Sequence, residues 1–427
     1  WIHFFSSMPS EKAARRVCVS YPVEVRDVQP ESPPGVSAQA RTVARIGPGR
    51  GLFLTEAVKG GDTILVDDPV MIYVDEGKKR NTCANCFRMK AGNKGELPCS
   101  CGTCGQAWFC STECQAASAR ATPGQGHSPQ ECALLHKMSR MSKRLGGQEG
   151  ITLARMLIKA ALIKAHDTVR WRQLQDLCAP DGLEDHACDW GVLCLRITEL
   201  GGECAALGGA QARLVLQRDA SNGMGILSKM EEGEEPSLRA GCLYGTCSML
   251  NHACSPNVAR FDDFDSADEG NMKVMIRALS DMDAGTELRM NYLSILVGVE
   301  ERQKRLLDEY GFKCECDRCH LESLFPDDES EDEEQDGKGK ASSGAKQPQP
   351  TPTEEEEDRR NALALWIAKY SCPAEDCGGT MAPVEGAEEK HEAGSVKRRK
   401  LSDSTDDAED VLGGGGGGGG VFKQQFS

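Results

Sequence analysis

The chain has 427 residues, 39% of them hydrophobic, with 21 cysteines and a formal net charge of −16 at pH 7. That length accommodates two or three domains and a sizeable core, and the low apolar share points to disordered segments beside it. No run of 18 apolar residues occurs, which argues against a membrane span, and the acidic balance suits a basic protein partner better than nucleic acid.

Trp1 opens the chain and Met8 follows. Residues 1–7 read as an upstream translation artefact or the trace of a missing N-terminus, and the apolar run 2–5 is too short for the core of a signal peptide. Residues 1–40 read as a flexible lead, rich in Pro, Ser and Glu from residue 21. In 41–82, short apolar runs at 43–46, 52–54, 64–66 and 70–74 alternate with glycines and predict strands joined by turns. Gly49-Arg50-Gly51 lies between two of these runs, where glycine permits close backbone approach to a ligand.

Residues 83–132 are cysteine-dense and poor in large aliphatics, so they need a metal staple. From 133 to 219 the pattern turns helical. Leu153, Met156, Leu157, Ala160, Ala161 and Lys164 recur at helical steps, and weaker helices are expected at 190–200 and 211–217. Strand-like runs return in 220–293, notably at 273–279 and 287–292, with a turn at Asp283-Ala284-Gly285. A charged amphipathic helix is expected over Val299–Tyr310, leading into the cysteine-rich segment that ends at 320. Residues 321–360 read as an acidic disordered linker; 13 acidic and 5 basic side chains in 326–360 supply half of the net charge. A small island at 361–383 carries Cys372 and Cys377, which could open a fourth zinc site with His391. The remaining 384–427 read as a disordered tail with a glycine tract at 413–420. The basic run 397–400 is a candidate nuclear-import signal.

The cysteine spacing carries the strongest chemical signal. Cys83-x2-Cys86, Cys101-x2-Cys104, Cys110-x3-Cys114 and His127-x4-Cys132 are four ligand pairs, enough for two tetrahedral zinc ions. Paired cysteines of this kind fit zinc in a reducing compartment rather than disulfides. If the pairs interleave, Cys83, Cys86, Cys110 and Cys114 hold one ion, and Cys101, Cys104, His127 and Cys132 the other. Cys99 could replace Cys101, and His136 could compete with His127.

This module resembles a MYND zinc finger, including the Phe109-Cys-Ser-x-x-Cys-Gln115 run. It departs in its His-x4-Cys ending, where that family has three intervening residues. Ser248-Met249-Leu250-Asn251-His252-Ala253-Cys254-Ser255-Pro256-Asn257 and the 287–319 stretch ending in Cys314-x-Cys316-x2-Cys319 closely resemble the SET domain. A SET domain interrupted by a MYND finger is similar to the SET and MYND domain family of protein-lysine methyltransferases, over roughly residues 41–320.

The resemblance implies an α+β protein. A β-rich, pseudoknotted SET fold would be split by the finger and the helical insert, and followed by a cysteine-rich post-SET segment. It implies S-adenosylmethionine as cofactor, held by Gly49, Arg50, Gly51, Asn222, Ser248, Met249, Asn251 and His252, with Tyr292 and Phe312 adjoining. It implies a third zinc ion on Cys254, Cys314, Cys316 and Cys319. Tyr292 becomes the principal catalytic residue, with Tyr310 and Phe312 lining the lysine channel and limiting methyl number, and Tyr244 as a further wall.

The implied substrate is an exposed lysine on a histone or non-histone protein, in nucleus and cytoplasm. A proline-rich peptide is the expected partner of the finger; neither a membrane nor sequence-specific nucleic-acid binding is expected. The rival reading is a zinc-dependent scaffold or transcriptional regulator with a weak or inactive SET site. Retention of Gly49, Gly51, Asn251, His252 and Tyr292 argues against it, and Gly223-Met224 after Asn222, where the family has other residues, argues for it.

Overall fold

The computed structural model describes residues 21–28, 49–89, 95–179, 188–228, 237–262, 272–325, 353–373 and 379–383. The first half supplies β1 (Val23–Asp27), β2 (Arg50–Leu54), β3 (Thr63–Asp67) and β4 (Pro69–Val74). The cysteine module adds β5 (Cys99–Ser100), β6 (Trp108–Phe109) and α1 (Thr112–Arg120). The insert holds α2 (Pro129–Met141), α3 (Gly147–His166), α4 (Thr168–Gln175), α5 (Trp190–Thr198), α6 (Gly202–Leu207) and α7 (Gly209–Asn222). The second half brings β7 (Met224–Leu227), β8 (Leu238–Tyr244), β9 (Asn251–His252), β10 (Val258–Asp262), β11 (Val274–Ala278) and β12 (Glu287–Met290). After it come α8 (Val299–Tyr310), α9 (Asp317–Ser323) and α10 (Glu354–Tyr370).

The two strand-rich stretches close on each other across the insertions. Strand β3 pairs with β11, β4 with β8, and β2 with β12, all antiparallel. The resulting sheets run β1-β2-β12-β9, β10-β11-β3 and β4-β8-β7. Around residues 251–257 the expected crossing takes the form of a parallel ladder, Asn251 facing Arg289 and His252 facing Met290. Asn257 completes it, accepting from the Arg289 N–H and donating to the Glu287 carbonyl, both over 2.8 Å. A short polar side chain thus does the work of a missing strand.

One apolar core lies between the sheets and includes Leu52, Ile64, Val258, Ile276 and Leu288. A second surrounds α3, whose residues 154–163 are buried almost all round and packed against α6, α2, α4 and β4. A helix of this kind is central to its bundle rather than amphipathic. The cysteine module has only a small core around Trp108, Phe109 and Leu97. It docks on the insert through two cations of α3: Arg155 donates to the Gln106 carbonyl at 3.1 Å and to Gln106 Oε1 at 3.0 Å, and Lys159 donates to the Gly126 carbonyl at 3.3 Å. Helices α1 and α2 begin on Ser111 and Ser128, whose hydroxyls accept from the N–H three residues on.

Several boundaries differ from the sequence reading. Strand β1 falls inside the expected flexible lead, because Val23 and Val25 alternate with polar residues and pair along β2. Arg50 and Gly51 belong to a strand rather than a turn. Helix α7 runs through to Asn222, and α9 extends past residue 320. Helix α10 starts in the expected acidic linker. Thr353 and Glu356 form a capping box there, and four glutamates meet the positive end of the helix. The strand expected at 43–46, Cys377, His391, the basic run 397–400, the glycine tract and linker residues 326–352 lie outside the described residues. Among the described residues no helix is long and apolar enough to cross a membrane, and the described cysteines are free.

Candidate active site and metal centres

Three groups of ligand atoms converge, each with its members within 4.8 Å of one another. They are Cys83, Cys86, Cys110 and Cys114; Cys101, Cys104, His127 and Cys132; and Cys254, Cys314, Cys316 and Cys319. The pairs of the finger therefore interleave. His127 is the histidine used; Cys99 sits in β5 outside the group, and the ring of His136 contacts Arg140 instead. Sulfur separations of 3.7 Å for Cys86–Cys110, 3.6 Å for Cys101–Cys132 and 3.4 Å for Cys254–Cys319 are close to the edge of a tetrahedron built on zinc–sulfur bonds of about 2.3 Å. Burial pushes the Cys110 thiol up to about 12 and holds His127 below its ordinary value. A divalent cation overturns the first effect and is served by the second, since it binds thiolate and neutral imidazole.

The third group reaches directly into the neighbouring site. His252 Nε2 lies 3.3 Å from Cys254 Sγ, while its Nδ1 accepts the Tyr292 backbone N–H over 3.1 Å. Burial lowers the His252 pKa to about 4, so the ring is neutral. Around it stand Tyr292, its ring centroid 5.2 Å away and edge-on, and Phe312 at 5.9 Å. Tyr310 packs 4.9 Å from Tyr292. The Tyr292 hydroxyl donates to the Leu250 carbonyl at 2.8 Å. Burial raises its pKa, so it remains a phenol.

Residues 49–51 meet this cluster through Asn251. The Asn251 amide donates to the Arg50 carbonyl at 3.0 Å and to Glu287 Oε1 at 2.8 Å. A Cβ on Gly51 would stand 2.8 Å from Glu287 Oε1 and 2.9 Å from Asn251 Nδ2, so any other residue must push these side chains aside. The Arg50 side chain bonds to the Asp176 carbonyl after α4. On the far side, Asn222 ends α7 with its amide on the Cys178 and Arg218 carbonyls, both at 2.8 Å, and its own carbonyl accepts from Ser248 Oγ at 3.3 Å.

One pocket collects part of this set: Asn222, Ser248, Tyr292 and Tyr310 line it, with Leu250, Asn291, Met224 and Arg260. Gly49, Arg50, Gly51, Asn251, His252 and Phe312 do not line that pocket; Arg50, Gly51 and Asn251 form a ledge with Glu287, and His252 and Phe312 stand in the ring cluster. Two expectations are corrected. Met249 turns away into the helical core. Tyr244 is 0% exposed, packed between the sheets with its hydroxyl on the Met272 carbonyl at 2.9 Å, because alternation along β8 points it inward. The sequence reading missed Asn291, Glu287 and Arg260. Asn291 was marked only by adjacency to Tyr292, and nothing local distinguishes the other two from ordinary strand residues.

The chemistry of this set fits S-adenosylmethionine. Faces of His252, Tyr292, Tyr310 and Phe312 attract a sulfonium. Asn291 Oδ1 is buried without a hydrogen-bond partner and can accept from an ammonium. A Cβ on Gly49 would meet nothing within 4 Å, so ligand atoms can approach the backbone there.

The fold and site define a SET-type domain, and comparison agrees: the SET domain family model matches residues 49–293. The chain belongs to the SET domain family, and the zinc-ligand module set between its halves makes it one of the SET and MYND domain type. It is similar to histone-lysine N-methyltransferase ASHR2 of Arabidopsis thaliana, 28% identical over 81% of this chain and 92% of that protein. It is also similar to the N-lysine methyltransferases SMYD2-B of Xenopus laevis and SMYD2 of Homo sapiens, 24% and 25% identical over 66% and 64% of this chain. It spans 60% and 58% of the length of those two. The solved SET domain of LSMT, bound to lysine and AdoHcy, aligns with TM-score 0.25 at 12% identity, over 65% of this chain and 54% of that one, a likeness too low to bear on the site.

Proposed function

We propose that the protein methylates lysine side chains of protein substrates, histone or non-histone, with S-adenosylmethionine as donor. The observation that carries this reading is the convergence of Asn251 on the residue 50 backbone, of His252 on Tyr292, and of Tyr292 on Tyr310 beside one pocket. The cofactor would be held by the ledge at residues 49–51, by Asn222, Ser248, Asn251 and His252, and against Phe312. It supplies a methyl group on a positively charged sulfur.

The rest is done by this chain's own residues. A free lysine has a pKa of about 10.4 and must lose its proton to act as a nucleophile. A buried, ring-lined pocket disfavours the ammonium, so the proton passes to solvent before transfer. Tyr292, held as a phenol with its hydrogen on Leu250, turns oxygen lone pairs to the amine N–H groups and orients the nitrogen. Alignment of this kind is worth orders of magnitude in rate. The third cysteine group fixes Tyr310 and Phe312 over the site, since both belong to the segment that Cys314, Cys316 and Cys319 tie to Cys254.

The docked finger is read as a partner site for proline-rich peptides as well as a staple, and the protein as active in nucleus and cytoplasm. A scaffold with a silent site is the competing reading. Transfer of radiolabelled methyl to heat-inactivated lysate proteins and to purified histones separates them: label on neither would favour the scaffold.

A further inference from the structure

We propose that Glu287 is a positioning residue for the cofactor: it fixes the side-chain amide of Asn251 so that the amide oxygen is offered to an N–H group of S-adenosylmethionine. The inference rests on the methyl-transfer reading. Asn251 Nδ2 donates to the Arg50 carbonyl at 3.0 Å and to Glu287 Oε1 at 2.8 Å. A carbonyl and a carboxylate only accept, so the atom between them must be the NH2 group. Both amide hydrogens are thereby used within the protein, and Oδ1 has no hydrogen-bond partner among the described residues. Glu287 is itself held. Arg289 Nε donates to Oε2 at 2.7 Å and Arg289 Nη2 bonds to the same oxygen, which leaves Oε1 for Asn251. Asn257 donates to the Glu287 carbonyl at 2.8 Å, and the Glu287 side chain is 10% exposed, so water competes little for the bond.

Asn222, on the far side of the site, is turned the same way, with its Nδ2 on the Cys178 and Arg218 carbonyls. There the acceptors are backbone groups, which no side-chain substitution removes. At Asn251 one of the two acceptors is a side chain. Without the Glu287 carboxylate the amide keeps only a neutral bond to the residue 50 carbonyl. It can then swing or turn over. A turned amide sets its N–H groups against a cofactor donor and its oxygen against the Arg50 carbonyl. With Glu287 in place, turning over also sets Oδ1 against Oε1 and gives up a charge-assisted bond, which is about twice as strong as a neutral one. A cofactor that binds only one arrangement of the amide loses affinity in proportion to the share of protein in the other. Glu287 therefore acts on cofactor affinity through Asn251, and turnover at saturating cofactor does not depend on it.

The test uses the full chain. Calorimetric titration with S-adenosylmethionine reads cofactor affinity, radiolabel transfer to core histones and heat-inactivated lysate protein reads kcat and the cofactor KM, and thermal melting reads folding. E287M, of similar length but without an acceptor, and E287D, whose carboxylate is withdrawn by one methylene, should each bind cofactor about threefold to tenfold more weakly. Their kcat at saturating cofactor should stay within about twofold of the wild type. E287Q, whose amide oxygen still accepts from Asn251, should bind within about twofold of the wild type. N251A/E287M should bind cofactor no more weakly than N251A alone, because the two losses are one. Wild-type affinity in a folded E287M or E287D would overturn the proposal. So would E287Q binding as weakly as E287M, additive losses in the double variant, or a fall in kcat at unchanged affinity. If E287M does not fold, E287D and E287Q decide. A wild type that binds no S-adenosylmethionine would remove the methyl-transfer reading and this proposal with it. Binding without label on any protein would remove that reading alone, since titration of the variants still judges Glu287.

Discussion

His252 joins Tyr292 to Cys254: one ring nitrogen takes the tyrosine backbone N–H at 3.1 Å, and the other sits 3.3 Å from the cysteine sulfur. The aromatic proposed to orient the amine and the third cysteine group are thus two contacts of one imidazole. Damage to either is expected to register in the other.

Cys314→Ser should therefore lower bound zinc from three ions to two per chain and abolish methyl transfer, although residue 314 does not line the pocket. Elemental analysis beside the radiolabel assay checks this. Full activity with two zinc ions would detach the metal group from the site.

Tyr292→Phe removes the hydroxyl that donates to Leu250 but keeps the ring. Turnover should fall at least about tenfold while cofactor affinity changes little, because ring packing is retained and only the amine loses its orienting oxygen. Equal turnover in wild type and variant would release Tyr292 from its assigned role.

Gly51→Ala places a methyl within 2.9 Å of Glu287, Asn251 and Val28. The expected cost is about 1–3 kcal/mol of stability, with weaker cofactor binding as Asn251 is pushed off the residue 50 carbonyl. Thermal melting and cofactor titration read the two effects separately.

Asp219, one turn before Asn222, accepts a hydrogen bond from Tyr73 at 2.8 Å, and burial raises its pKa to about 6 from 3.8. A raised carboxyl binds more protons folded than unfolded between these values. Its contribution to stability is therefore favourable in acid and falls as pH rises from about 4 to 6, by about 3 kcal/mol. Asp219→Asn should flatten that slope and raise stability at pH 7 by about 1–3 kcal/mol, measured by denaturant titration across pH. An unchanged pH profile would show that Asp219 is ionised without penalty.

Much of the site was legible because its parts carry local spacing. The cysteine pairs, the Asn251–Asn257 run and the helix Val299–Tyr310 leading into Cys314 each announce themselves within a few residues. Strand β1 was not legible, since five residues in a Pro- and Ser-rich stretch become a strand only through pairing with β2. Tyr244 was misplaced for a related reason: its place along the chain says nothing about which side of β8 it occupies. Arg260 could not have been found at all. A lone arginine in a strand acquires meaning only when the pocket closes beside it.

The pairing of Leu52 with Leu288 has a consequence for biogenesis. During synthesis β2 emerges from the ribosome long before its partner exists, and its apolar face must wait through the finger and the whole helical insert. Long-range strand pairing is slow and leaves edges exposed to aggregation in the meantime. The finger, whose ligands are close in sequence, can gather its metal ions early and park the nascent first half against the helices. Zinc supply during translation would then govern the yield of folded chain before it governs any chemistry.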